Sequence, residues 1–194
     1  MRPLTVLGLT ANKRSGKDTL ASFLEEEYIQ LGYKVYRYAF ADELKAITRR
    51  YFPTWNGQKT ESSGDFVGGR QILEGVGTLV RDLCGSSYWV KKVSEKINAT
   101  ISEHPRDQRL VIIITDIRYR NEADLVKQMG GKIIKIVRDG YNSDSFSAEM
   151  GVSDMVLKLD HILENNGTIQ QLQQKAIQLI QKMHGEQAHA LQNN

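Results

Sequence analysis

Apolar positions along this chain alternate between continuous runs and helical spacing. Leu4–Leu9 is nearly unbroken hydrocarbon, the pattern of a strand buried on both faces of a parallel sheet. After a polar loop, Leu20, Phe23, Leu24 and Ile29 recur at helical spacing, and Gly32 supplies the stop. Tyr33–Phe40 alternates and predicts a second strand. Asp42 is the expected N-cap of a helix through Leu44, Ile47 and Tyr51, ended by Pro53. Helical spacing resumes at Arg70 and runs through Ile72, Leu73, Val76, Leu79 and Leu83. A further helix covers Tyr88 to Ser102. Arg109–Thr115 is the strongest strand, its centre wholly aliphatic. The pattern closes with a helix over Asn121–Met129, strands at Lys132–Val137 and His161–Glu164, and a helix from its cap Thr168 to Met183.

Strands alternating with helices predict an α/β fold, a doubly wound parallel sheet of about five strands flanked by helices. Such sheets bind ligands beyond the carboxyl ends of their strands, so the loops after Leu9, Phe40, Thr115 and Val137 should converge. Residues 54–69 hold four glycines and no steady period, which predicts a mobile loop. Residues 138–155 share that character. No linker divides the chain, so one domain is expected over 1–184, with a frayed polar tail at 185–194.

Composition narrows the class. The 194 residues fit one domain. The 26 basic and 23 acidic residues leave a net charge of +3, too balanced for a strong nucleic-acid footprint. The single cysteine, Cys84, excludes a disulfide framework and suits a reducing cytoplasm; helix packing is its expected role. No apolar run approaches the roughly 18 residues of a membrane span, so no membrane partner is expected.

The candidate chemistry begins at 11–19, A-N-K-R-S-G-K-D-T. A strand, a small polar loop and a helix start together present backbone N–H groups to a phosphate. Gly16 allows close approach, and Lys17 would reach terminal phosphates as a point charge. The general pattern is G-x-x-x-x-G-K-[ST]. Here Ala11 stands at the first glycine, and Asp18 takes the hydroxyl position with Thr19 one place later. A second group, Asp116-Ile117-Arg118-Tyr119-Arg120-Asn121-Glu122, follows the strongest strand. Asp116 either holds magnesium or its waters, or caps the next helix. Arg118 would offset phosphate charge. Glu122 either orients an arginine or a sugar hydroxyl, or is a first-turn residue favoured by the helix dipole.

These residues resemble the bacteriophage-type deoxynucleoside monophosphate kinases. K-R-S-G-K-D-T at 13–19 is similar to their variant phosphate loop. Arg70, Leu73, Val76, Gly77 and Thr78, followed by Tyr88-Trp89-Val90, match a family helix and its aromatic segment. Asp116, Arg118 and Glu122 match a second motif, Met129–Arg138 a third, and Asp160–Thr168 an ending with N-x-G-[ST]. The resemblance runs through nearly the whole chain in one order. The chain looks short for the family around residues 52–69, near the acceptor pocket.

The resemblance implies a three-layer P-loop kinase fold, ATP as donor, a deoxynucleoside monophosphate as acceptor and Mg2+ as cofactor. Lys13, Arg14, Ser15, Gly16, Lys17, Asp18 and Thr19 would hold the donor phosphates. Lys17, Arg14, Arg118 and Arg138 would carry the transferring charge. Lys45, Arg70, Gly77, Trp89, Asp116, Arg118 and Glu122 would line the acceptor site, with Trp89 either stacking on the base or packing its helix. Asp18, Thr19 and Asp116 are the metal candidates, Thr19 being equally a helix cap. Residues 139–155 would form a lid that excludes water. Dimeric relatives admit a homodimer by analogy. Phosphomevalonate kinase of the animal type has a similar loop, and a nucleotide-binding switch without an acceptor is a reading from another class.

Overall fold

A computed structural model describes residues 3–51, 68–140 and 157–192, without the side chains of Arg70 and 187–192. The expected 54–69 loop up to residue 67, and the expected lid beyond Gly140, lie outside the described residues. The elements are β1 (Leu4–Ala11), α1 (Lys17–Gln30), β2 (Lys34–Tyr38), α2 (Phe40–Tyr51), α3 (Gly69–Cys84), α4 (Tyr88–Glu103), β3 (Leu110–Ile114), α5 (Arg120–Gln128), β4 (Lys132–Val137), β5 (His161–Glu164) and α6 (Ile169–Gln192).

The chain divides into two compact units, Met1–Arg37 with Pro105–Asn194, and Tyr38–His104. In the second unit the helices α2, α3 and α4 pack on one another.

In the first unit the sheet order is β2-β3-β1-β4-β5. The β1–β3, β1–β4 and β4–β5 ladders are parallel, with Leu7 opposite both Ile113 and Lys132. β1 is therefore central, and successive crossovers depart to either side of it. That makes its carboxyl end the topological switch point, where doubly wound sheets bind ligands. On one face, Leu7, Leu9, Val111, Ile113, Ile134 and Ile136 meet Leu20, Leu24 and Tyr28 of α1 and Leu172, Ala176 and Ile180 of α6. On the other face α5 contacts β1 and β4. The approach there is close: a Cβ on Gly8 would overlap Ile117. Five consecutive buried residues in β3 account for the unbroken aliphatic run in the sequence.

Some boundaries differ from the pattern. α2 starts at Phe40, so Asp42 stands in its first turn, where its charge still suits the helix dipole. α6 starts where expected: Gln171 N–H donates to Thr168 Oγ1 at 3.2 Å, and Thr168 N–H donates to Gln171 Oε1 at 2.8 Å, a reciprocal cap. The same helix continues to Gln192, beyond the expected end at Met183. Ala, Gln and Leu are good helix formers, and no proline interrupts them. Cys84 is exposed at the end of α3 and does not pack as expected. No helix among the described residues is long and apolar enough to cross a membrane.

Candidate phosphate-binding site

The loop after β1 is built by two residues with left-handed backbone. Arg14 has φ 61° and Gly16 φ 91°. The first costs roughly 1 kcal/mol for a side-chain-bearing residue; the second is natural for glycine. Ala11 needs no such freedom, because it is the last residue of β1 and pairs with Ile136. The turn that a first glycine would make is taken three residues later, at Arg14.

Gly16 is the N-cap of α1 and offers no side-chain cap. The N–H groups of the first helical turn lack intrahelical partners by geometry, so they point beyond the helix toward the loop's concave side. Thr19 is the third residue of α1 and not its cap. The Lys17 side chain is 22% exposed, and its ammonium pairs with Asp18 Oδ1 at 2.6 Å, Asp18 being 84% exposed. Such a solvent-facing pair contributes little stability, so a phosphate can take the ammonium at small cost. Ser15 is 1% exposed, and among the described residues its Oγ has no hydrogen-bond partner. Lys13 and Arg14 are exposed.

The loop after β3 lies against the same strand end. Ile117 N–H donates to Leu9 O at 3.1 Å, which sets Asp116 and Arg118 beside the end of β1. The N-cap of α5 is Tyr119, so Asp116 is not a helix cap. Glu122, matched to the acceptor motif, is buried and committed elsewhere. Its Oε2 accepts from Arg118 N–H at 2.7 Å and Tyr119 N–H at 3.0 Å. It shapes the loop that carries Arg118. Arg138 is exposed at the end of β4, the strand paired with β1 on its other side.

Sequence reasoning left one participant out of the site. Asn165, directly after β5, donates from Nδ2 to Ser15 O at 2.8 Å. Its own N–H donates to Val137 O at 2.8 Å. Next to it, Asn166 exchanges two hydrogen bonds with Asp139, at 2.9 and 2.8 Å. The N-x-G-[ST] motif held the signal, but it pointed to a turn and a helix cap.

In the unit Tyr38–His104, Trp89 is 2% exposed and its indole N–H donates to Gly77 O at 3.4 Å. The ring packs inside that unit. A Cβ on Gly77 would lie 3.2 Å from Leu44 Cδ2, so that glycine permits close packing of α3 on α2. Lys45 is half-buried and lies 3.5 Å from Asp42. The Arg70 side chain is outside the described residues.

Among the described residues no group of three or more His, Cys, Asp or Glu gathers as a metal cage. Asp18, Thr19 and Asp116 nevertheless offer oxygen donors of the hard kind that magnesium takes. In kinase sites that ion relies on one or two carboxylates plus substrate phosphates and water. The residues present fit it.

Residues 54–176 match the family model for deoxynucleotide monophosphate kinase. A protein of Acanthamoeba polyphaga mimivirus assigned to the deoxynucleotide monophosphate kinases is 28% identical over 197 residues, covering 91% of this chain and 96% of its own. Among solved structures, TT1252 from Thermus thermophilus superposes with a TM-score of 0.52 at 18% identity, covering 94% of this chain and 98% of its own. Dephospho-CoA kinase from Campylobacter jejuni is similar at a TM-score of 0.48 and 15% identity, covering 92% and 97%.

Proposed function

The chain belongs to the deoxynucleotide monophosphate kinase family, and we propose that it moves the terminal phosphoryl group of ATP onto deoxynucleoside 5'-monophosphates, as the bacteriophage-type members do. The observation that carries this reading is the strand-end site: an uncapped α1 N-terminus behind Gly16, with Lys17 at its mouth and the Asp116–Arg118 loop anchored alongside.

The acceptor oxygen belongs to a phosphate whose second pKa is near 6, so at neutral pH it is already largely dianionic. No general base is needed, and the protein's task is positioning and charge neutralisation. The backbone of Arg14, Ser15 and Gly16 holds donor phosphates. Lys17 follows the moving group, and Arg14, Arg118 and Arg138 offset the charge on the in-line transition state. Asp18, Thr19 and Asp116 would hold magnesium, directly or through water, and the ion would supply further charge neutralisation. Lys45 and Arg70 are assigned to the acceptor phosphate. Gly77, Trp89 and Glu122 act on the acceptor indirectly, by packing and by loop shape.

An ADP-release assay with ATP and magnesium tests the reading. The four deoxynucleoside monophosphates, their ribose counterparts and phosphomevalonate are offered in turn, beside a no-acceptor control. Turnover above the control with at least one deoxynucleotide is expected. Turnover only with phosphomevalonate, or tight ATP binding without acceptor-stimulated release, would refute it.

A further inference from the structure

We propose that Asn165 is a positioning residue for the donor phosphate loop, acting through the Ser15–Gly16 peptide. The inference rests on the reading of that loop as the ATP phosphate site. It adds a residue that none of the loop's own motif contains.

Asn165 is 150 positions from the carbonyl it binds. The residue is 8% exposed, so the amide is not a surface group that happens to lie nearby. The backbone is fixed as well, because Asn165 N–H donates to Val137 O. A buried amide held by its own main chain is a stiff support.

Its target is well chosen. A trans peptide is planar, with its C=O and N–H directed oppositely. Holding the Ser15 carbonyl against Asn165 therefore turns the Gly16 N–H the other way, away from Asn165. That N–H immediately precedes those of the first turn of α1. All of them must face one way to act together on an anion. The Ser15–Gly16 peptide follows left-handed Arg14 and leads into a left-handed glycine, the residue type with the widest backbone freedom. Asn165 removes that freedom.

Gly16 is matched to the same contact. A Cβ there would overlap Asn165 Nδ2, so glycine serves the φ of 91° and also leaves room for the amide. The neighbouring Asn166 grips Asp139, one residue beyond Arg138. One dipeptide after β5 thus holds the loop after β1 and the loop after β4.

The experiment compares Asn165→Asp and Asn165→Ala with Lys17→Ala. The aspartate is nearly isosteric but replaces the donor with an oxygen facing the Ser15 carbonyl; the alanine removes the side chain. Steady-state kinetics give kcat, KM for ATP and KM for the acceptor, calorimetry gives the Kd of ATP, and a thermal melt reports folding. Both Asn165 variants should raise the Kd and KM of ATP by about tenfold or more, the size of one lost hydrogen bond with its buried partner left unpaired. Asn165→Asp should be at least as impaired as Asn165→Ala. The acceptor KM should stay within about twofold, a split that general loosening of the fold would not produce. Two outcomes overturn the proposal: unchanged ATP parameters in a folded Asn165→Asp variant, or equal losses toward both substrates tracking a lowered melting temperature. If Lys17→Ala also leaves ATP binding and turnover intact, the reading of the loop itself fails. A damaged Lys17→Ala beside an intact Asn165→Asp removes Asn165 alone.

Discussion

The sheet unit and the helical unit Tyr38–His104 use their polar and aromatic signature residues in opposite ways. In the sheet unit, Lys17 opens α1 and Asp116, Arg118 and Arg138 stand on loops, all of them following the carboxyl ends of strands. In the helical unit, Gly77 and Trp89 lie inside, one against Leu44 and the other bonded to the first. A motif at a strand end is held by topology at the edge where such sheets bind ligands. A motif spaced along packed helices is consumed by the packing that makes the helices a unit.

The sharpest way to break this contrast is to exchange the expected phenotypes. Lys17→Ala should cut kcat by a factor of about a thousand or more, the scale of losing a preorganised transition-state charge. Its melting temperature should move little, since the Lys17–Asp18 pair is solvent-facing. Trp89→Ala should do the reverse. Removing a ring this buried costs about 3–5 kcal/mol, so the melting temperature should drop steeply. In whatever folded fraction remains, kcat should be far less affected than in Lys17→Ala. A Trp89→Ala protein of normal stability that has lost acceptor affinity would restore base stacking and end the comparison.

Glu122 tests the middle ground, a buried group whose work is to shape an active loop. Glu122→Gln keeps one carbonyl acceptor but loses the charge, and charge-assisted bonds to backbone N–H groups contribute roughly 1.5–3 kcal/mol. Part of that stability should be lost in a denaturant melt. The acceptor KM should rise severalfold through the displaced Arg118 loop, with the KM for ATP held. An unaffected acceptor KM would leave Glu122 a helix cap and nothing more.

Much of this was legible in the sequence because single-residue periodicity reports burial directly. Five aliphatics in a row make β3, and Thr168 with Gln171 closes a cap in the way its residue types require. The strand, loop and helix around 11–19 were legible for the same reason, since they are adjacent in the chain. Ala11 looked anomalous only because the pattern assigns the tight turn to that position, whereas the backbone makes it at Arg14. The division into two units was not legible: no linker composition marks it, and it arises from which helices find each other. Asn165 escaped for a deeper reason. Its contact joins residues at opposite ends of the chain, and nothing local to either of them encodes the other. Glu122 was legible as a first-turn acid, and its Oε2 accepts from the Arg118 and Tyr119 N–H groups at that helix start.

The smallest effect separates the two ends of the sheet unit itself. At the strand starts, the edge opposite the phosphate loop, the ring of His184 stacks on Tyr33 at 6.2 Å and meets Tyr28 edge-on at 5.9 Å. The Arg109 guanidinium lies 3.9 Å over the Tyr33 ring. Among the described residues His184 Nε2 is buried without a hydrogen-bond partner. Burial first, and the Arg109 charge second, hold its pKa below the usual histidine value of 6.5. The unfolded chain therefore takes up this proton first as the pH falls. The stability that the neutral ring contributes is complete above pH 6.5 and declines as the pH drops below 6.5 toward the folded-state value. His184→Phe keeps a stacked ring and removes the titration. Melting curves of the two proteins from pH 8 to pH 5 should converge or cross on the acidic side, the native protein losing more. Because the residue sits at the far edge, kcat of the two should match at pH 8. Parallel melting curves would show that His184 does not titrate on unfolding, and a kcat difference would show that this edge is not separate from the site.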